Sequence, residues 1–324
     1  MDSVDLGLIH ALRLDGRVSF RAVAEVLGVS ENTVARRYRR LRGEGLLRVV
    51  GTVNGARLGY VPWTIRLRCT PDAASRVAEA LATREDTSWV YLLSGGTEIS
   101  CNVQARSADE QEALLLHRLP RTSRVVSVSA HLLLRGFALP TGWAGVAALS
   151  PEQVERLRPE PEEAEDGPVT LDDGDRALLQ ALSRDGRAPY AELTSVTGWS
   201  ESTVRRRLTA LRRTGVLRYQ LDVPPAVVGF AAEARLWMSI RPAEAIETAE
   251  ALARHPEVSF AALTTGPTNL LAAVNCRDAG DLARYLTERV AALGGIQSME
   301  TAPIIRTVKR AGSLFPGGPP VSGR

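Results

Sequence analysis

Apolar residues Leu6, Leu8, Ile9 and Leu12 recur at helical spacing and predict a first helix that ends before Asp15-Gly16. Ser19 offers a cap for a second helix, Phe20–Leu27, whose Val23, Val26 and Leu27 face inward. Gly28 supplies a tight turn. Ser30 caps a third helix in which Val34, Tyr38 and Leu41 fall at i, i+4 and i+7 as one apolar stripe. Helix, helix, short glycine turn, helix is the layout of a helix-turn-helix. The runs LLRVVGTVN and VLRYQLDVP then alternate at period two and predict a strand or small wing.

Downstream, the alternation predicts strands at 63–69 and 233–240, each followed by a helix that a proline starts. Two strands come next, 88–93 with 98–105 and 258–263 with 269–276. A helix (109–119, 279–292) and a last strand (125–134, 296–306) complete the order βαββαβ, which is that of a ferredoxin-like sandwich. The fold class is therefore α+β.

These patterns occur twice. A shift of 170 positions aligns 5–48 with 175–218 without a gap, and 20 of the 44 positions are identical. The identities include the DGR runs at 15–17 and 185–187 and the pairs Gly28/Gly198 and Gly45/Gly215. Similarity then weakens but persists through Gly59/Gly229, Tyr60/Phe230 and, past one inserted residue, Gly95/Gly266. A repeated supersecondary unit of this kind marks an internal duplication. The expected organisation is a winged helix-turn-helix at 1–55, a ferredoxin-like domain at 60–138 and an acidic, proline-rich linker at 139–170. The second copy follows at 171–225 and 230–312, and a disordered tail at 313–324. Within the linker, Ser150-Pro151-Glu152 predicts a short helix over 151–158.

The third helix of each copy concentrates positive charge. Residues 30–42 hold five arginines and one acid, and 200–213 hold the same. Like charges so placed repel one another on an isolated helix and call for an anionic partner. At about 100° per residue, Asn32 and Arg36 point opposite the buried stripe, Arg39 lies nearby and Ala35 is on one flank. Ser202, Arg205, Arg206 and Thr209 take the same positions in the second copy. These eight are the expected readers of base edges in the DNA major groove, since arginine pairs bidentately with guanine. Phosphate anchoring is expected from Ser30, Thr33, Arg37, Arg40 and Arg42, and from Ser200, Thr203, Arg207, Arg212 and Arg213.

Composition adds constraints. The chain has 324 residues, 44% of them hydrophobic, with a net charge of +3. A nucleic-acid role must therefore rest on local clustering. Cys69, Cys101 and Cys276 are far apart and outside any CxxC or Cys/His pattern, so neither a metal site nor a disulfide framework is expected. No run approaches the roughly 18 apolar residues that span a membrane, and the acidic start MDSVDLGLIHAL is unlike a signal peptide. A cytoplasmic protein without cofactor is expected.

The stretches DGRVSFRAVAEVLGVSENTVARRYRRLRGEGLL and DGRAPYAELTSVTGWSESTVRRRLTALRRTGVL, with Gly59, Gly229 and ETAPIIRTVKR, resemble the Lrp/AsnC (feast/famine) family of transcription regulators. The resemblance covers both repeats. It implies winged helix-turn-helix domains joined to RAM-type α+β domains, double-stranded DNA as partner, homo-oligomers, and an effector, commonly an amino acid. In the family the effector lies near the loop joining the second and third strands of the α+β domain. That loop maps onto Gly95, Thr97 and Glu98 and onto Gly266, Thr268 and Asn269. The family pattern has Asp where this chain has Glu98 and Asn269. The same residues also suit a plain hairpin turn, so both readings stand.

Two alternatives accompany the regulator. An architectural DNA-binding protein needs no effector. Siroheme decarboxylases look like the same arrangement, but His10, His117, His131 and His255 are scattered and lack the HNY-like stretch of those enzymes. No catalytic constellation is legible from spacing, so a non-enzyme is expected.

Overall fold

The computed structural model describes residues 1–107, 109, 112, 124–140, 143, 145–159, 169–311 and 313–314. Most of the helix predicted at 109–119, residues 141, 142, 144 and 160–168 of the linker and the tail beyond 314 lie outside the described residues. The first repeat comprises α1 (Ser3–Leu14), α2 (Phe20–Leu27), α3 (Glu31–Gly43), β1 (Arg48–Val53), β2 (Val61–Cys69), α4 (Ala74–Ala82), β3 (Thr87–Leu93), β4 (Glu98–Ala105) and β5 (Val125–Ala138). α5 (Pro151–Leu157) follows. The second repeat gives α6 (Asp173–Arg184), α7 (Tyr190–Thr197), α8 (Glu201–Arg213), β6 (Leu217–Asp222), β7 (Ala232–Ile240), α9 (Ala245–Ala253), β8 (Val258–Thr264), β9 (Leu270–Cys276), α10 (Ala279–Arg284), β10 (Ile296–Arg310) and the short β11 (Ser313–Leu314). Where one helix was predicted at 279–292, α10 passes into a π-helical turn over Tyr285–Val290, the form in which an extra residue is accommodated within a helix.

Each repeat opens on a reciprocal cap. The Asp5 N–H donates to Asp2 Oδ1 (3.0 Å) and the Asp2 N–H to Asp5 Oδ2 (3.3 Å); Asp172 and Asp175 repeat this at 2.7 and 3.2 Å. The pairs satisfy helix-terminal donors that would otherwise be orphaned. The predicted stripes are where the cores form: Leu8, Ile9, Leu12, Val34, Tyr38 and Leu41 are buried together, and Leu178, Leu182, Val204, Leu208 and Leu211 form the matching core.

The strand after each third helix pairs with its counterpart in the other repeat. β1 runs antiparallel to β6, with Arg48 opposite Asp222 and Val53 opposite Leu217. The shared DGR runs lie beside this ribbon. Arg17 donates to the carbonyls of Gly186 and Ala188, each at 3.0 Å, while Arg187 donates to those of Gly16 (2.8 Å) and Val18 (3.0 Å). Each arginine thus closes the other repeat's backbone, and the two helix-turn-helix units form one body. The junction is tight: a Cβ on Gly186 would stand 2.9 Å from both the Val49 side chain and the Val50 carbonyl carbon. Backbone cannot yield as a flexible side chain can, so Gly186→Ala is expected to destabilise the chain by about 1–3 kcal/mol. Chemical denaturation measures this, and an unchanged midpoint contradicts the interlock.

The α+β halves are joined just as closely. Strand order runs β10-β3-β4-β2-β5-β8-β9-β7, and β7 pairs again with β10, so eight strands form a closed ring with β11 appended to β10. The two last strands make the closure. β5 pairs with β2 over 125–132 and then with β8 over 133–138. β10 pairs with β7 over 296–303 and then with β3 over 304–309. Closure leaves no open sheet edge within the ring. Both strands extend past their predicted ends because their second halves belong to the other repeat's sheet.

α5, predicted within the linker, packs on the first helix-turn-helix. Val146, Leu149 and Leu157 join its core, Gln153 Nε2 donates to the Val26 carbonyl, and His10 Nδ1 accepts the N–H groups of Ala148 and Leu149. Part of the expected linker is therefore structural.

Candidate nucleic-acid interface

Gly28 and Gly198 adopt φ of 66° and 71°, the left-handed turn that glycine takes without penalty. This turn sets α3 against α2 and α8 against α7. The Thr33 N–H donates to Ser30 Oγ (3.1 Å) and the Thr203 N–H to Ser200 Oγ (3.3 Å), so both predicted caps form. The two hydroxyl pairs also bond each other, at 2.9 and 3.0 Å. These four side chains, assigned to phosphate contact, serve the helix starts first.

The outward face is as the spacing predicts. Asn32, Arg36, Arg39, Ser202, Arg205, Arg206 and Thr209 are exposed and Ala35 is half-buried. Their surroundings differ. Arg39 bonds its own helix through the Ala35 carbonyl (3.3 Å). Arg205 pairs with Glu201 at 2.6 Å and lies over the Tyr190 ring, 3.8 Å from its centroid. Arg36 and Arg206 have no ion-pair or hydrogen-bond partner among the described residues. They occupy the same position in the two repeats. Arg205, Arg206, Thr209, Ala210 and Arg213 line a shallow open depression on α8.

Several arginines assigned to phosphates are held by carboxylates instead. Arg37 pairs with Asp2 (2.7 Å) and approaches Asp5 (3.5 Å); Arg40 pairs with Asp5 (2.7 Å). Arg207 grips Asp175 with two nitrogens, the Nε contact at 2.8 Å, and that bonding raises its pKa above the ordinary arginine value. Asp5 and Asp175 are almost wholly buried, so these arginines brace α3 and α8 against the cap that opens each repeat. Arg42 reaches Asp185 in the other repeat at 2.8 Å, and Arg212 lies over the Tyr219 ring.

The residues matched to the family's effector loop are occupied within the fold. Gly95, Gly96 and Thr97 form the β3–β4 turn, and the Thr97 carbonyl accepts the Cys69 N–H at 2.8 Å. Glu98 is buried and accepts from Arg66 (2.9 Å) and Arg68 (2.8 Å). Arg66 also pairs with Glu300, holding that carboxyl below the usual range, and lies 4.2 Å from the centroid of the Trp237 ring. In the second copy, Asn269 bonds both backbone groups of Ile240, at 2.8 and 2.9 Å. Thr268 accepts the Thr264 hydroxyl through its carbonyl, and Gly266 lies against the His131 ring, where a Cβ would come within 2.3 Å.

Among the described residues no three His, Cys, Asp or Glu converge as a metal site, all three cysteines are free and buried, and no helix is long and apolar enough to cross a membrane.

Paired helix-turn-helix units and a closed ring of two ferredoxin-like sheets define a duplicated protein of the helix-turn-helix plus α+β class. The pattern of the AsnC-type helix-turn-helix domain matches residues 1–42 and 171–212, and that of the Lrp/AsnC ligand binding domain matches 234–314. An HTH-type transcriptional regulator of Pyrococcus abyssi is 37% identical over 145 residues, 44% of this chain and 91% of that protein. The transcriptional regulator LrpA of Pyrococcus horikoshii is 29% identical over 140 residues, 43% of this chain and 99% of that protein. The chain belongs to the Lrp/AsnC family. Among solved structures, the siroheme decarboxylase NirDL has the same two-repeat fold, with a TM-score of 0.62 at 15% identity over 96% of this chain and 93% of that one. The two Pyrococcus regulators each match less than half of this chain along nearly their whole length, so each corresponds to one repeat.

Proposed function

We propose that this chain is a sequence-specific DNA-binding transcription regulator in which one polypeptide does the work of a homodimer. The observation that carries this reading is the matched pair Arg36 and Arg206: exposed, on equivalent faces of α3 and α8, and without a partner among the described residues. The β1–β6 ribbon and the Arg17/Arg187 exchange fix the two helices in one body, which suits two half-sites on one duplex. Asn32, Ala35, Arg36 and Arg39 read one half-site, and Ser202, Arg205, Arg206 and Thr209 the other. In this reading Arg42, Arg212 and Arg213 anchor phosphates, while Arg37, Arg40 and Arg207 hold the helices in place through Asp2, Asp5 and Asp175. The ligand-binding half supports modulation by a small effector, and chains of this kind pair further through like surfaces.

The enzyme reading rests on the shared fold with NirDL. Against it, His10 caps the linker backbone, His131 packs on Gly266, and His255 Nδ1 meets Tyr285 Oη at 3.1 Å. One purified sample separates the readings. The regulator shifts labelled operator DNA with an affinity that falls steeply with salt, log K declining by about 0.9 for each phosphate contact per decade of salt. A tetrapyrrole absorption band in the protein as purified, with no DNA binding, overturns the proposal. DNA affinity blind to sequence favours the architectural role.

A further inference from the structure

Inside the strand ring, on the face of the sheets turned away from the helices, lies a cavity of about 70 Å³. Trp89, Tyr91, Asn102, Arg235, Phe260 and Asn275 line it, and residues 220–223, at the end of β6, close its other side. At about 10–15 Å³ for each water position, it has room for roughly five to seven water-sized groups.

Arg235 is 1% exposed and heads the fully buried side chains by volume. Its Nη2 reaches Ser100 Oγ at 3.4 Å, its Nε has no partner, and its guanidinium carbon lies 5.2 and 5.6 Å from the centroids of the Tyr91 and Phe260 rings. No carboxylate among the described residues is within ion-pair distance of it. Neighbouring acids are already matched: Asp222 by Arg48 at 3.0 Å and Arg310 at 3.5 Å, and Glu233 by Arg310 at 3.7 Å. A buried guanidinium without a counter-charge is costly. Two further buried polar atoms at the cavity lack partners, the donor Asn275 Nδ2 and the acceptor Asn102 Oδ1. Asn275 is itself 3% exposed.

We infer that this cavity binds a small organic monocarboxylate, its oxygens held by the Arg235 guanidinium and the Asn275 amide. One unmatched positive charge calls for one negative charge. A polyanion of phosphate type would bury charge that the single Arg235 guanidinium leaves unmatched, and the aromatic walls favour a short carbon chain over a bare inorganic ion. Asn102 Oδ1 favours a hydroxyl beside the carboxylate. The repeats do not share the site: by strand alignment Thr64 stands where Arg235 does and Pro62 where Glu233 does, so one such ligand binds per chain.

Calorimetric titration of the full chain with sodium acetate, propionate and lactate, against nitrate and inorganic phosphate at constant ionic strength, tests this. Saturable one-to-one binding of a carboxylate is expected, lactate tightest. Arg235→Met is expected to abolish it, and Asn275→Ala to weaken it about ten- to a hundredfold; the second variant keeps the test decisive if the first does not fold. No saturation by any carboxylate, preference for nitrate or phosphate, or carboxylate binding unchanged in Asn275→Ala each overturns the assignment. The readout involves no DNA, so its failure and that of the regulator reading are separate results.

Discussion

Replacing Arg36 and Arg206 together with alanine is expected to weaken operator binding by about 2–6 kcal/mol, the sum of two recognition arginines at roughly 1–3 kcal/mol each. The effects should add, because α3 and α8 belong to different halves and the two side chains share no partner. Thermal stability should not move, since both are exposed and unpaired among the described residues. Arg37→Ala makes the contrast: it removes a brace between Asp2, Asp5 and α3, and should lower stability before it lowers affinity. Fluorescence anisotropy at fixed salt, with a melting curve for each variant, distinguishes these outcomes. Full affinity in the double variant, or total loss in either single one, contradicts the assignment of one arginine to each half-site.

The second large effect is on stability. Asp175→Ala removes a buried carboxylate that accepts the Asp172 N–H, one half of the reciprocal cap of α6, and holds Arg207 of α8. Loss of a helix cap costs about 1 kcal/mol, and breaking a buried ion pair from one side costs up to about 3–5 kcal/mol. Arg207 is a third exposed and water relieves part of its loss, so about 3 kcal/mol in total is expected. Asp175→Asn, which keeps an oxygen for the cap, should lose less. Urea denaturation at neutral pH measures both. A loss below about 1 kcal/mol in the alanine variant would put this contact with ordinary surface pairs.

Local features were legible in the chain. Ser19 and Ser30 begin their helices, Gly28 and Gly198 make the turn, and Val34, Tyr38 and Leu41 are buried, because caps, turns and apolar periods depend on neighbours within a few residues. What lay across space was not. Spacing puts Arg37 and Arg207 near the core edge but does not reveal that Asp5 and Asp175, about thirty residues earlier, face them. The clue was there in the identity of those acids in both copies. The DGR run was likewise visible as an identity, but its work, each arginine closing the other repeat's carbonyls, needs the two halves to be placed together. The ring closure was hidden for the same reason: β5 and β10 change partners midway, and alternation alone does not name a strand's neighbour. His10 and Val146 gave no sign that α5 folds back on the first helix-turn-helix. Gly95 and Gly266 do fall in turns between paired strands, but spacing does not show that Asn269 is tied to the Ile240 backbone, and the most unusual buried charge, Arg235, sits in a strand whose alternation reads as ordinary.

The central claim is that one chain reads two different half-sites with two fixed helices. Selection of bound sequences from a random DNA pool, with wild type and with Arg206→Ala, tests it most directly. The account predicts an imperfect palindrome bound by a single chain, its half-sites one helical turn of about 34–36 Å or a multiple apart, with Arg206→Ala relaxing the sequence in one half only. A perfectly symmetric site, or relaxation in both halves at once, would contradict it.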